Sequence, residues 1–263
     1  RRNLDAGMSH ARAWGEAAAA WLGVEPETLN APNAILGAEY IRAIRDLGSG
    51  MDVLPVPRRG DYRGQVPDKE GFPSAIAVRL ALREGRMEDA LAWTPPEARA
   101  VLAGAPRMHA PDDLLLGRLR AMSEEEIAAL PGVGEGLERR IKRLAASAAS
   151  AEELAARVKC KRYTRARLTR LMAHALLDMT EAMTLRHPRP EYARLIGMRS
   201  DAGEVLRELK RRARLPVISD PVRLKGDEMF RLECRATDLR ALQCDEARER
   251  RAGQELTQKF VRV

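Results

Sequence analysis

The stretch KCKRYTRARLTRLMAHALLDM, residues 159–179, decides how most of the chain folds. From Thr164 onward, Leu168, Leu171, Met172, Ala175, Leu176 and Met179 recur at the i, i+3, i+4, i+7 spacing of an amphipathic helix, with Thr164 placed to cap it. One helix face is thereby committed to a core. Arg167 and Arg170 fall opposite that stripe and Arg165 flanks it. Lys159, Lys161 and Arg162 precede the helix, where its first backbone N–H groups lack partners. Cation density, a helix start and a stacking-capable Tyr163 coincide, which predicts contact with RNA phosphates through Lys159, Lys161, Arg162, Tyr163, Arg165, Arg167 and Arg170. The plainer alternative is a solvated basic face.

The helical pattern extends upstream from this stretch as far as residue 87. WTPPEARAVL, APDDLLLGRLRAM, SEEEIAAL, GEGLERRIKRLAASA and AEELAARV follow one another across short turns marked by Pro and Gly. Ser123 with Glu126 has the spacing of a capping box, and Asp112 or Asp113 is placed to cap the helix that follows, so these carboxylates read as structural. After His187 the pattern turns mixed. YARLIGM and PVISD have strand character, SDAGEVLRELKRR reads as a helix between them, and a polar, loosely packed tail is expected beyond.

The first portion differs. His10–Leu22 and Ile35–Leu47 read as helices separated by the loop LNAPNA. MDVLPVP, residues 51–57, has the short apolar character of a buried strand, and the polar RRGDYRGQVPDKEGFP then forms a long loop. Ser74 opens the next helix and Gly85 closes it. Helix, strand, loop and helix in that order point to an α/β domain over residues 1–86, followed by a mainly helical domain over 87–263 with a small mixed C-terminal part.

Lysine and arginine number 46 against 38 acidic residues, a net charge of +8, which favours a polyanionic partner. An aromatic content of 4% is too low for broad base-stacking platforms, so recognition should lean on phosphate and shape. The three cysteines, Cys160, Cys234 and Cys244, form no CxxC pair, which argues against disulfide stapling and a structural zinc site. No apolar run reaches bilayer length and the first residues lack a signal-peptide core, so a cytoplasmic protein is expected, with no membrane partner. His10, His109, His174 and His187 are scattered without metal-ligand spacing or a nearby carboxylate partner, and no GxSxG, P-loop or paired-carboxylate signature is present. No metal ligand and no catalytic residue can be named.

Two segments in the first portion suit a nucleotide. Asn33, just before a helix in PNAILGAEY, offers donor and acceptor together, although taken alone the segment reads first as an Asn/Pro turn capping the helix. Arg58 and Arg59 follow the expected strand, where ligands of α/β sheets collect, and Ser74 and Arg79 bracket a helix N-terminus able to take a phosphate. Taken in order, PNAILGAEYIRAI, a strand, an Arg-Gly turn with Tyr62, SAIAVR, EGLERRI, KCKRYTRARLTR and YARLIGM resemble one family, the tRNA(Met) cytidine acetate ligases. The resemblance runs from about Asn30 to the closing GQELTQKFVRV.

That resemblance implies the rear part of a Rossmann-like nucleotidyltransferase domain followed by a helical tRNA-binding domain. It also implies ATP as co-substrate with Mg2+, activation of acetate as acetyladenylate, and acetylation of the wobble cytidine of elongator tRNA(Met). By position, Asn33 matches the family's nucleotide-contacting Asn, Arg58 the Arg of its Arg-(Ile)-Gly turn, and Ser74 and Arg79 the ends of its Ser-Ala-Thr-Ala-Ile-Arg segment. Arg59 stands beside Arg58 at the same site. Two departures follow: Ile76 replaces a threonine, and the turn around Arg58 is one residue shorter. The family's His-x-Gly-His-type motif is not found in these residues, so the chain is expected to correspond to the C-terminal two-thirds of the enzyme and to be inactive alone. LPGVGEGLERRI, residues 130–141, also resembles a helix-hairpin-helix, which would instead present backbone N–H groups to a DNA phosphate in a module without catalytic activity. A helical scaffold with incidental basicity is the third reading, and it predicts no salt-sensitive RNA affinity.

Overall fold

Side-chain caps mark where six of the α-helices among the described residues begin. The computed structural model describes residues 10–26, 29, 31–57, 59–61, 63–160, 162–258 and 260–263. They form two compact units, residues 1–99 and 100–263.

In the first unit, α1 spans His10–Leu22 and α2 spans Pro32–Asp46, whose first turn holds a proline that needs no N–H partner there. Residues 51–57 are not the buried strand their composition predicts. All seven are exposed and have no regular structure. A strand needs a partner, and among the described residues of this unit there is none; Pro55 and Pro57 also lack the N–H a ladder requires. Next comes α3, Ala75–Arg83. Its N-cap is Ser74, whose hydroxyl oxygen accepts from the N–H groups of Ile76 and Ala77, both at 3.0 Å. Gly85 follows its C-terminus at φ +77°, a conformation natural to glycine. Packed against α3 is α4, Met87–Ala92, and α5 spans Pro96–Ala103.

The second unit opens with five helices: α6 (Asp112–Ala121), α7 (Glu124–Ala128), α8 (Leu137–Ala145), α9 (Ala151–Val158) and α10 (Arg165–Leu177). Their apolar stripes meet in one core that includes Leu119, Ile127, Leu137, Leu154, Val158 and Leu168. Ser123 and Glu126 form the expected capping box, and Thr164 accepts from the Arg167 N–H. Asp112 caps a different helix from the one predicted. Pro111 precedes α6 without a side-chain cap, and Asp112 accepts from the Ala151 N–H at 2.8 Å, tying the start of α9 to α6.

Beyond α10 come α11 (Glu181–Arg186), strands β1 (Ala193–Arg194) and β2 (Gly197–Met198), α12 (Gly203–Arg212), β3 (Val217–Ile218), α13 (Glu228–Ala241), α14 (Gln254–Thr257) and β4 (Val261–Arg262). β1 pairs in parallel with β3, Ala193 opposite Val217; β2 pairs in parallel with β4, Gly197 opposite Val261. The α/β character of the described residues resides in these two short parallel pairs. Nor is the tail loose: α13 buries Phe230 completely, and Arg194 bridges Glu233 of α13 and Glu255 of α14.

Candidate nucleic-acid interface

The basic stretch forms one end of the five-helix core. Tyr163 is buried, donating its hydroxyl to the Gly134 carbonyl at 3.0 Å, and the Arg167 guanidinium lies 5.0 Å from its ring centroid. Its ring therefore supports an arginine, which corrects the expectation of a face open for base stacking. Arg167 also donates to the Gly132 carbonyl at 2.6 Å. Together Tyr163 and Arg167 hold the turn 132–134 against the start of α10.

The other cations divide into paired and unpaired. Arg162 is ion-paired to Glu135 and Arg165 to Glu152, and the Arg165 guanidinium holds the Glu152 carboxyl below its ordinary range. Both pairs are more than half exposed, so they are screened by water and individually weak. Lys159 and Arg170 are exposed and make no ion pair among the described residues. Lys161 lies outside the described residues. Cys160 is exposed within this patch; the Tyr163 N–H lowers its thiol pKa from the usual value, and Arg140 and Arg162 add to the effect.

The turn that resembles a helix-hairpin-helix does not offer its first donor to a nucleic acid. Gly132 N–H donates to the Glu181 carboxylate at 3.2 Å, and Val133 N–H to the Leu130 carbonyl at 3.2 Å. One backbone donor of the turn is thus already taken by a carboxylate of the chain itself. Nearby, burial lowers the pKa of His174, and its Nδ1 is buried without a hydrogen-bond partner. This is a packing histidine. His187, by contrast, has two carboxylate partners, which corrects the expectation of none nearby: Nδ1 lies 2.6 Å from Glu191 and Nε2 2.6 Å from Glu228. Residues 187–191 are not helical, so Glu191 reaches the ring across a turn that carries Pro188 and Pro190.

In the first unit the described nucleotide candidates are held by different local contacts. Asn33 is exposed within the first turn of α2 and not ahead of it. Arg58 and Tyr62 lie outside the described residues. Arg59 stacks on Phe72, its guanidinium 5.4 Å from the ring centroid. Ser74 is buried; besides capping α3, its hydroxyl donates to the Gly64 carbonyl at 2.5 Å and so anchors the loop that carries Arg59. Arg79 is exposed on α3. Among the described residues no hydrogen bond or ion pair joins Asn33 or Arg79 to Arg59 or Ser74, and no three His, Cys, Asp or Glu side chains converge as metal ligands. No helix of the described residues is long and apolar enough to cross a membrane.

Comparison with known proteins adds the chain-wide likeness. The family model described as HIGH Nucleotidyl Transferase matches residues 1–255. A tRNA(Met) cytidine acetate ligase of Acetivibrio thermocellus is 29% identical over 259 residues, covering 90% of this chain and 62% of that protein. One of Clostridium perfringens is 26% identical over 216 residues, covering 81% and 54%. The chain thus spans less than two-thirds of the length of these relatives. Its fold is that of Thermotoga maritima TmcAL: the apo crystal structure superposes with a TM-score of 0.85 at 23% identity, covering all of this chain and 69% of that one. TmcAL bound with alpha-thio ATP gives a TM-score of 0.83.

Proposed function

Since the chain belongs to the HIGH Nucleotidyl Transferase family, we propose that it serves ATP-dependent acetylation of tRNA(Met), as a tRNA(Met) cytidine acetate ligase or the larger part of one. The observation that carries this reading is the likeness to such ligases along nearly the whole chain, helical part included. In the reaction an acetate oxygen attacks the α-phosphorus of ATP and pyrophosphate leaves. The exocyclic amine of the wobble cytidine then attacks the acetyl carbon, AMP leaves and a proton is lost. No protein nucleophile is needed, which suits a chain with no nucleophile motif.

Nucleotide contacts are assigned to residues 1–86, with Asn33, Arg58 and Arg59 at the nucleotide and Arg79 at phosphate. Ser74 acts there through the loop it anchors, because its hydroxyl is already engaged by Ile76, Ala77 and Gly64. Magnesium would arrive on the triphosphate. Binding of the tRNA is assigned to residues 87–263, with Lys159, Lys161, Arg162, Arg165, Arg167 and Arg170 at its backbone and Tyr163 seating Arg167. The compartment is the cytoplasm. These 263 residues hold no His-x-Gly-His, and without its imidazoles to stabilise the departing pyrophosphate they should bind nucleotide and tRNA but not catalyse ATP–pyrophosphate exchange.

The test is a competition titration of the chain with elongator tRNA(Met), an unrelated tRNA and duplex DNA at several salt concentrations. Preference for the elongator tRNA is expected, and replacing Lys159, Arg165 and Arg170 with Ala should shallow the log–log salt slope by roughly 0.7–0.9 per lost phosphate contact. Equal binding of all three nucleic acids, or an unchanged slope, would sink the assignment.

A further inference from the structure

An open cavity of about 380 Å³ lies in the second unit, lined by the turn 132–135 and by Arg162, Tyr163 and Arg167. Its two guanidinium groups are held differently. Arg167 is fixed by the Gly132 carbonyl and the Tyr163 ring, a rigid mount for its remaining donors. Arg162 has a loose mount: among the described residues its one ion pair is with Glu135, and about two-thirds of each side chain in that pair is exposed. Of the residues lining the cavity, Glu135 alone carries negative charge. It does so from φ +58°, a left-handed conformation that glycine or asparagine adopts more readily. Local backbone preference does not favour a glutamate here; the charge does something.

We propose that this cavity receives one backbone phosphate of the RNA and that Glu135 is its resident substitute, displaced from Arg162 when the phosphate arrives. The inference rests on the tRNA reading above and goes further by naming a residue that opposes binding. A carboxylate and a phosphate offer the same geometry to a guanidinium, so one can replace the other without moving Arg162 far. The exchange is easy because the Glu135–Arg162 pair is exposed and screened. Its consequence is selectivity. A bare cation cluster binds any polyanion, whereas one closed by its own carboxylate yields only to a phosphate that the rest of the surface has already positioned. Glu181, bonded to the Gly132 N–H, keeps the neighbouring backbone donor occupied in the same manner.

The test is a double-mutant cycle on the full chain, with affinity for elongator tRNA(Met), an unrelated tRNA and duplex DNA as the readout. Glu135→Gln should tighten tRNA binding by about threefold to tenfold, and more for the unrelated tRNA than for the elongator. In an Arg162→Ala background the same substitution should change affinity by less than about twofold. Glu135→Gly, which relieves the backbone, must reproduce the gain, so that poor folding of one variant does not decide the result. An equal gain with and without Arg162 would mean that Glu135 acts only through net charge, and no gain would place it outside the interface; either overturns the proposal while leaving tRNA binding by the wild-type chain intact. Absence of tRNA binding by the wild type overturns the functional reading itself. Duplex DNA bound more tightly, with the same dependence on Glu135, would overturn the assignment to RNA.

Discussion

Residues 112–177 and residues 32–57 both carry regularly spaced apolar side chains, yet only the first set buries them. Leu119, Ile127 and Leu154 are fully covered, whereas Tyr40, Leu47, Met51, Leu54 and Val56 are each more than 60% exposed. The difference is one of partners, not of composition. Five consecutive helices of the second unit face one another, so each stripe finds its complement nearby in the chain. In 32–57 the apolar positions lie on one helix and one extended segment, and the described residues leave most of them exposed.

Single truncations put the largest number on that contrast. Leu154→Ala should cost the second unit about 2–5 kcal/mol, because it opens a cavity in a closed core. Leu54→Ala, at 88% exposure, should shift stability by less than about 0.5 kcal/mol. Denaturant titration, with hydrogen exchange of the 151–158 amides as the local readout, checks both. Comparable costs for the two would break the comparison.

A smaller effect is expected where the first unit does have a buried polar anchor. Ser74→Ala removes two accepted bonds at the start of α3 and leaves the Gly64 carbonyl without its donor. The expected cost is about 1–2 kcal/mol, seen as faster exchange of the 75–83 amides, with Ser74→Thr recovering part of it. ATP affinity should fall as well, because Arg59 rides on the anchored loop; unchanged exchange and affinity would make the cap incidental.

How much of this was legible follows the same division between local and distant. Caps are local, so Ser74, Ser123 and Thr164 could be placed from spacing alone, and the helices they start fell where periodicity put them. The segment 51–57 was misread because apolar content does not supply a strand with a neighbour. The burial of Tyr163 depends on Gly134, 29 positions away, and the pairing of Arg162 on Glu135, 27 away; neither distance leaves a trace in local pattern. Glu135, Glu152 and Glu181 were passed over for that reason. Asp112 was placed in the right role on the wrong helix, because a carboxylate at a helix start can cap whichever N–H group folds toward it.

The smallest expected effect lies past the apolar core, where residues 181–263 are held as much by charge as by burial. Glu228 first, and Glu191 second, raise the pKa of His187 above its ordinary value, and the Nε2 contact joins the end of α11 to the start of α13. A histidine whose folded pKa is raised contributes stability that is fully present below its unfolded value, near 6.5, and is lost as pH climbs through the raised folded value. His187 and Arg186 hold the Glu228 carboxyl below its ordinary range, so the proton on His187 is the variable. The thermal midpoint of the wild type should therefore decline relative to that of His187→Gln as pH rises above about 6.5, and the two should converge at the alkaline end. Exchange of the 181–186 amides should follow the same curve, while amides of 151–158, covered by the apolar core and carrying no histidine, stay flat. Parallel pH profiles for the wild type and the variant would show that the clamp adds nothing, and would leave burial of Phe230 as what holds this part of the second unit together.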